Sequence, residues 1–266
     1  MKGNAGRDSG HQAAGPPAIR AIPQDTREKL AKLGIAEEFD LILHLPLRYD
    51  NETQLYPIGD APLARTVQVE GNITHSEVLF RPRRQLVCQV EDGSGSLFMR
   101  FLNFYGSQVK AYSKGRRVRL LGEVRPGFFG IEMVHPKCRI IHKHVPLPET
   151  LTPVYPSTAG ISSETLRKLI QGTLQQMVDS NRQQDAWETL PQAILKRNRL
   201  PCFRDSIFFL HNPPADAPVA LLQQRAHPAW RRIKFDELLA QQLSMRLHYR
   251  QRRRGNAPVL REKREL

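Results

Sequence analysis

The sequence is short of the residues and spacings that announce chemistry. Its three cysteines, Cys88, Cys138 and Cys202, are odd in number and widely separated, with no C-x-x-C pair. They read as buried thiols in a reducing cytoplasm, not as a zinc site or redox motif. The nine histidines show no H-E-x-x-H or comparable ligand spacing, so no metal site is expected. No apolar run approaches the roughly 18 residues of a spanning helix, and no charged-then-apolar leader opens the chain, which argues against a membrane protein. Phosphoryl chemistry is announced by G-x-x-x-x-G-K-[ST], whose amides and lysine surround a phosphate, and no such run occurs. The DGSG stretch at 92–95 lacks the lysine and falls between two predicted strands, so it reads as a hairpin turn. There is no G-x-S-x-G elbow and no Cys, His and Asp set at triad spacing. No catalytic residue, no cofactor and no metal are therefore expected in this stretch.

Acidic residues are the other shortfall. Against 40 Lys and Arg there are 26 Asp and Glu, a formal net charge of +14. Such an excess favours a polyanionic partner, and with no membrane signal that partner is nucleic acid. The charge is not confined to a tail, because residues 65–145 alone carry 14 Lys/Arg against six Asp/Glu.

At 266 residues with 40% hydrophobic side chains the chain is long enough for one large or two smaller cores. Residues 1–24, rich in Gly, Ala and Pro, cannot offset ordering entropy by burial and read as a flexible tail. Over 25–64 the spacing predicts two short helices meeting at Gly34, the first capped by Asp25 with Glu28 three residues on, followed by an extended connector. From Thr66 the period becomes two. Strands are predicted from Thr66, around Leu86–Val90, over Ser96–Phe104, around Val118–Gly122 and over Ile131–Ile141, with a helical stretch at Tyr105–Tyr112 between the third and fourth. That order is the one expected of a five-stranded OB barrel, a fold that binds oligonucleotides. Residues 146–266 read as helices: one capped by Ser162 or Ser163, pieces near Leu190–Arg197 and Asp205–His211, and a long one after Pro228 ending in the basic run Arg250–Arg254. The fold class expected is α+β, an OB barrel over 65–145 flanked by helical segments.

Single strands and splayed bases are bound by aromatic faces beside positive charge. Phe101, Phe104 and Tyr105 cluster where the third strand leaves the barrel. Phe128 and Phe129 fill the loop between the fourth and fifth strands, where strand alternation cannot bury both. Phe101 has two readings, since it is in phase with Leu97 and Met99 and suits the core as well as a base platform. Phe104 and Tyr105 are open in the same way. Arg83, Arg84, Arg116, Arg117 and Arg125 are the candidate phosphate contacts, and Arg250–Arg254 reads either as a further contact or as a solvated helix end.

These residues resemble one family, RecG, through short motifs in matching order: LHLPLRY at 43–49, LYPIG at 55–59, VEDGSG at 90–95, MRFLNF at 99–104, GE at 122–123, EMVHP at 132–136, LTPVYP at 151–156, HNPP at 211–214, FDELL at 235–239 and LSM at 243–245. The chain departs from the family pattern at Leu102, where a second aromatic often precedes the asparagine, and at Ile22 to Gln24, where many members have a Gly-x-Gly hairpin. The resemblance implies a wedge barrel that splits the arms of stalled forks and Holliday junctions in recombination and repair. It carries base stacking to Phe101, Asn103, Phe104 and Phe128. It implies a motor, with its ATP and Mg2+, beyond Leu266, with the chain belonging to a longer protein. It also implies branched DNA and a single-stranded-DNA-binding protein as partners, a monomer, and a nucleoid-associated place in a bacterial cytoplasm. The alternative is a standalone OB protein that binds single-stranded DNA or RNA.

Overall fold

The computed structural model describes residues 22–81, 83–142, 145–158, 160–179 and 187–254. The tail expected before Gln24 lies almost wholly outside them. The described chain forms two compact units. One comprises 48–153 with 212–223; the other brings together the segments up to 47, 154–211 and those from 224 on.

The first unit is the barrel. Strand β1 (Arg48–Asp50) pairs with β8 (Thr152–Val154) in a two-stranded ribbon, and the remaining strands form one sheet. These are β2 (Thr66–Leu79), β3 (Gln85–Glu91), β4 (Ser96–Phe101), β5 (Arg117–Gly127), β6 (Gly130–Val134) and β7 (Lys137–Ile140). β2 pairs with β3, β3 with β4, β4 with β6, β6 with β5 and β5 with β2 again, so five strands close a ring. All pairings are antiparallel except β4 with β6. Period-two alternation turns Val67, Val69 and Ile73, Leu86, Cys88 and Val90, Leu97, Met99 and Phe101, and Val118, Leu120 and Val124 into a common core. The strand β2 is long enough to serve two partners, β5 up to Asn72 and β3 from Asn72 on. Gly71 stands at that change of partner, where a Cβ would come within 2.7 Å of the Glu91 carbonyl oxygen.

Helix α3 (Gly106–Ala111) lies between β4 and β5, and Val109 and Ala111 pack on the core beside buried Tyr112. The DGSG stretch is a turn, as its position between strands requires. Asp92 Oδ1 accepts from the amides of Ser94 and Gly95, and Oδ2 accepts from the Ile58 amide at 2.8 Å. Burial opposes ionisation, but these donors and the Ser94 hydroxyl hold the Asp92 carboxyl below its usual range.

Two predicted boundaries change. The third strand stops at Phe101, because the Leu102 amide donates to His135 Nε2 instead of a strand partner. The predicted fifth strand divides at His135 and Pro136, where His135 takes a left-handed φ of 51°. Its halves β6 and β7 lie along the same edge of β5. Val124 faces Met133 and Leu121 faces Lys137, so three steps along β5 oppose four, a bulge.

The second unit is helical, with α1 (Gln24–Ala31), α2 (Glu38–Leu43), α4 (Ser163–Asp179), α5 (Gln192–Asn198), α6 (Phe203–His211) and α8 (Pro228–Arg254); α7 (Val219–Gln223) belongs to the barrel unit. Leu30, Leu41, Ile42, Leu166, Ile170, Leu174 and Ile207 form its core. The expected Asp25 cap is not made. The helix begins two residues earlier, with Pro23 at the cap position, and Asp25 pairs with Lys29 one turn on. Ser162 supplies the α4 cap, its Oγ accepting from the Thr165 amide at 3.1 Å. Two polar groups are built into this interior. His211 bonds to the Tyr155 hydroxyl and the Ile42 carbonyl, each at 2.8 Å. Arg232, fully buried, meets both oxygens of Glu188 at 2.7 Å and Asp236 at 2.8 Å.

Candidate nucleic-acid interface

Among the described residues of the barrel interior, two thiols and a phenol are the groups that could act as nucleophiles, and burial keeps them protonated. Desolvation raises the Cys88 thiol and pushes Cys138 and the Tyr112 hydroxyl up to about 12 each, so all three stay protonated. Among the described residues no group of His, Cys, Asp and Glu could hold a metal ion, and no helix is long and apolar enough to cross a membrane. What the barrel offers is its outer surface.

The hairpin joining β5 to β6 has Phe128 and Phe129 at its tip, between Gly127 and a left-handed Gly130. Phe128 is 89% exposed and Phe129 57%. The two rings meet edge to face at 4.9 Å, and Phe129 packs 5.8 Å from Phe98 on the outer side of β4. Phe98 alternates with Leu97 and Met99, which point inward, so it braces the tip from outside the core. The result is a short ladder of three rings, anchored at Phe98 and open at Phe128.

A second cluster stands at the opposite end of the β3 and β4 strands. Leu86 faces Phe101 in the register, so the loop from β2 to β3 lies beside the segment leaving β4. There the Arg84 guanidinium sits 4.7 Å above the Phe104 ring, which is half-buried. Asn103 is exposed, Tyr105 is 79% exposed, and Arg83 is exposed. Between the two clusters the outer face is polar and neutralised. Arg100 donates to Glu132 at 2.8 Å and to Gln85 at 2.8 Å.

Of the sequence-predicted residues, the structure therefore gathers Asn103, Phe104, Tyr105, Arg83 and Arg84 at one end and Phe128 with Phe129 at the other. Of the two readings of Phe101, base platform and core, the structure has the core one. Phe101 is 5% exposed, stacked 5.4 Å from Tyr112 and edged by His135, with no face left for a base. Arg116 immediately precedes β5 and Arg117 opens it beside β2, and β4 pairs with neither of those strands, so they stand apart from the aromatic face. Arg117 is also taken by Glu70 at 2.6 Å. Arg125 lies near the hairpin tip but is hydrogen-bonded to Glu123 at 2.8 Å, which raises its pKa and lowers that of Glu123. Three further candidates were not read from sequence. Phe98 was masked by its place inside a regular strand. Phe80, 73% exposed, and Arg81 belong to the same basic loop as Arg84; the signal was an aromatic opening the run F-R-P-R-R at 80–84.

An OB barrel receives oligonucleotides on the face of its second and third strands and on the loops joining strands one to two and four to five. In this ring those are β3 and β4, the 80–84 loop and the 128–129 hairpin, the same parts that carry the exposed rings.

Residues 19–177 match the RecG wedge domain family. The chain is 40% identical over 219 residues to the ATP-dependent DNA helicase RecG of Escherichia coli strain K12, a match that covers 82% of this chain and 31% of that protein. The same-named protein of Pasteurella multocida is 38% identical over 221 residues, with the same two shares. The chain thus spans about a third of the length of the curated relatives it matches. A solved structure of RecG bound to a three-way DNA junction covers 96% of this chain at a TM-score of 0.59 and 23% identity, a likeness of fold. With the ring order, the outward aromatics and a family match over more than half of its residues, the chain belongs to the RecG wedge domain family.

Proposed function

We propose that this chain is the branched-DNA-binding part of an ATP-dependent DNA helicase, and that its barrel is the wedge at the branch point. The observation that carries this is the exposed Phe128 and Phe129 hairpin on a basic barrel. A ring 89% exposed at a hairpin tip gains nothing from folding and gains a stacking partner when bases are splayed beside it. Two aromatic clusters at opposite ends of one barrel face suit a junction, where two strands leave a common point. Curated relatives are named as ATP-dependent helicases, and a solved relative is bound to a three-way junction, which supports the same reading. ATP and Mg2+ act in the motor of such a protein, since this stretch has no phosphate-binding loop. The chain works as a monomer on forked DNA at the bacterial nucleoid, alongside a single-stranded-DNA-binding protein.

The test is fluorescence anisotropy of the chain with a model fork, a matched unbranched duplex and a matched single strand, at two salt concentrations. The fork should bind tightest, with affinity falling as salt rises. Equal affinity for all three would make the barrel a general oligonucleotide surface, and no binding would defeat the reading.

A further inference from the structure

A second basic surface lies on the helical unit. Over its segments 187–211 and 224–254 that unit carries 13 Lys/Arg against four Asp/Glu, and two of those acids, Glu188 and Asp236, are committed to buried Arg232. Lys196, Arg197 and Arg199 close α5, Arg225 precedes α8, and Arg231 and Lys234 lie on its first two turns. Hydrogen bonds gather them. Arg231 Nη2 donates to the Asn198 carbonyl at 3.3 Å and to the Arg199 carbonyl, tying the start of α8 to the end of α5. Lys234 Nζ donates to the Arg225 carbonyl at 2.9 Å. All six residues are exposed, and among the described residues none of them is in an ion pair. Such a group of like charges repels itself until a polyanion covers it.

The backbone supplies an independent observation. Arg199 and Arg225 take left-handed φ values of 51° and 54°, a conformation that glycine adopts without steric cost. The other left-handed residues of this unit, Gly34 and Gly160, are glycines. Arginine at two such positions, both beside other cations, keeps two guanidinium groups on this face where glycine would cost the backbone less.

We infer that Lys196, Arg197, Arg199, Arg225, Arg231 and Lys234 form a phosphate-backbone site for a duplex DNA arm. The inference rests on the reading of the chain as DNA-binding and not on the barrel's part in it. The ligand is a duplex backbone and not splayed bases, because the bordering rings are closed. Trp230 is 5% exposed with Arg225 over it at 5.0 Å, and Phe209 is stacked on His227 at 4.2 Å. Cations without an open ring position a backbone and read no bases.

The test uses the whole chain carrying Arg199→Gly and Arg225→Gly, with anisotropy against an unbranched duplex across a salt series. The slope of log affinity against log salt should become shallower by about two, with roughly tenfold or greater loss of affinity at low salt. Glycine relieves both backbone positions, which offsets the loss of the Arg225 cover over Trp230, so the urea midpoint should stay near that of the parent. Lys196→Gln with Arg197→Gln, at exposed helical positions, should flatten the slope similarly and covers any disturbance from unstacking Trp230. Unchanged slope and affinity in both variants overturn the inference. So does polyglutamate binding that the variants lose while duplex affinity persists, which would assign the face to an acidic protein segment. A parent chain without fork preference whose duplex slope still responds to these arginines defeats the wedge reading and leaves this one standing.

Discussion

Phe101 and Phe128 are the same residue type, both are in or near motifs that suggest base stacking, and alanine at each should do opposite things. Phe101 is 5% exposed and stacked on Tyr112 inside the ring of strands. Removing its ring deletes buried surface and leaves a cavity that the closed barrel cannot easily collapse, so Phe101→Ala should cost about 3–5 kcal/mol of stability. Phe128 is 89% exposed and touches Phe129 by an edge. Phe128→Ala removes almost no buried area and should shift stability by less than about 0.5 kcal/mol. Its effect belongs to binding: a stacked base is worth about 1–3 kcal/mol, which is roughly 5- to 150-fold in fork affinity. Urea denaturation and fork anisotropy on both variants, with binding measured where each is fully folded, separate the two quantities. A Phe128→Ala protein of parental stability and parental fork affinity would refute the stacking role. A Phe101→Ala protein of parental stability that binds weakly would return Phe101 to the interface.

Arg84→Ala removes the guanidinium above Phe104 and should weaken fork binding, and Phe80→Ala at the same loop should weaken it by about 1–3 kcal/mol with stability intact; parental affinity in both would confine the site to the 128–129 hairpin. Acid should destabilise the helical unit in two stages. Burial holds His211 down to about 4, so between pH 6.5 and 4 the unfolded chain takes a proton that the fold refuses, and stability falls by up to about 3 kcal/mol before levelling. Burial works against an ionised Glu188, but Arg232 and the amides of Phe203 and Leu190 keep its carboxyl at about 2, and its contribution is lost as pH drops from 4.5 towards 2. Urea midpoints against pH read both windows, and His211→Gln should flatten the upper one; a parental curve without a fall there would contradict the burial of a neutral His211. Glu188→Gln should cost about 3–5 kcal/mol at neutral pH by leaving Arg232 buried with a weakened partner, a loss that a thermal melt would detect.

Much of the candidate interface was legible because its signals are local. Two adjacent aromatics between glycines cannot both turn inward, which exposed the 128–129 tip in the sequence. For Phe104 and Tyr105 the sequence left core and surface both open, and the fold decided between them: Phe104 is half-buried and Tyr105 exposed. The arginines were not legible in this way. Exposure is a local property, but neutralisation is not: Arg119, buried in the barrel wall, meets a glutamate 49 residues away in sequence, and Arg117 shares that glutamate. Phe98 escaped because a strand residue reveals its face by alternation but not whether a neighbouring hairpin leans on it.

The sequence by itself determined the strand order, the helix between the third and fourth strands, the hairpin tip and the absence of a phosphate-binding loop, because each follows from periodicity, turn residues or a contiguous motif. Only the tertiary structure decided that β5 closes the ring by pairing with β2, that helices before and after the barrel share one core, and which cations lie open and which are bound. Those outcomes depend on partners far apart along the chain, brought together by burial of a common apolar face, and no local pattern specifies which partner will be chosen.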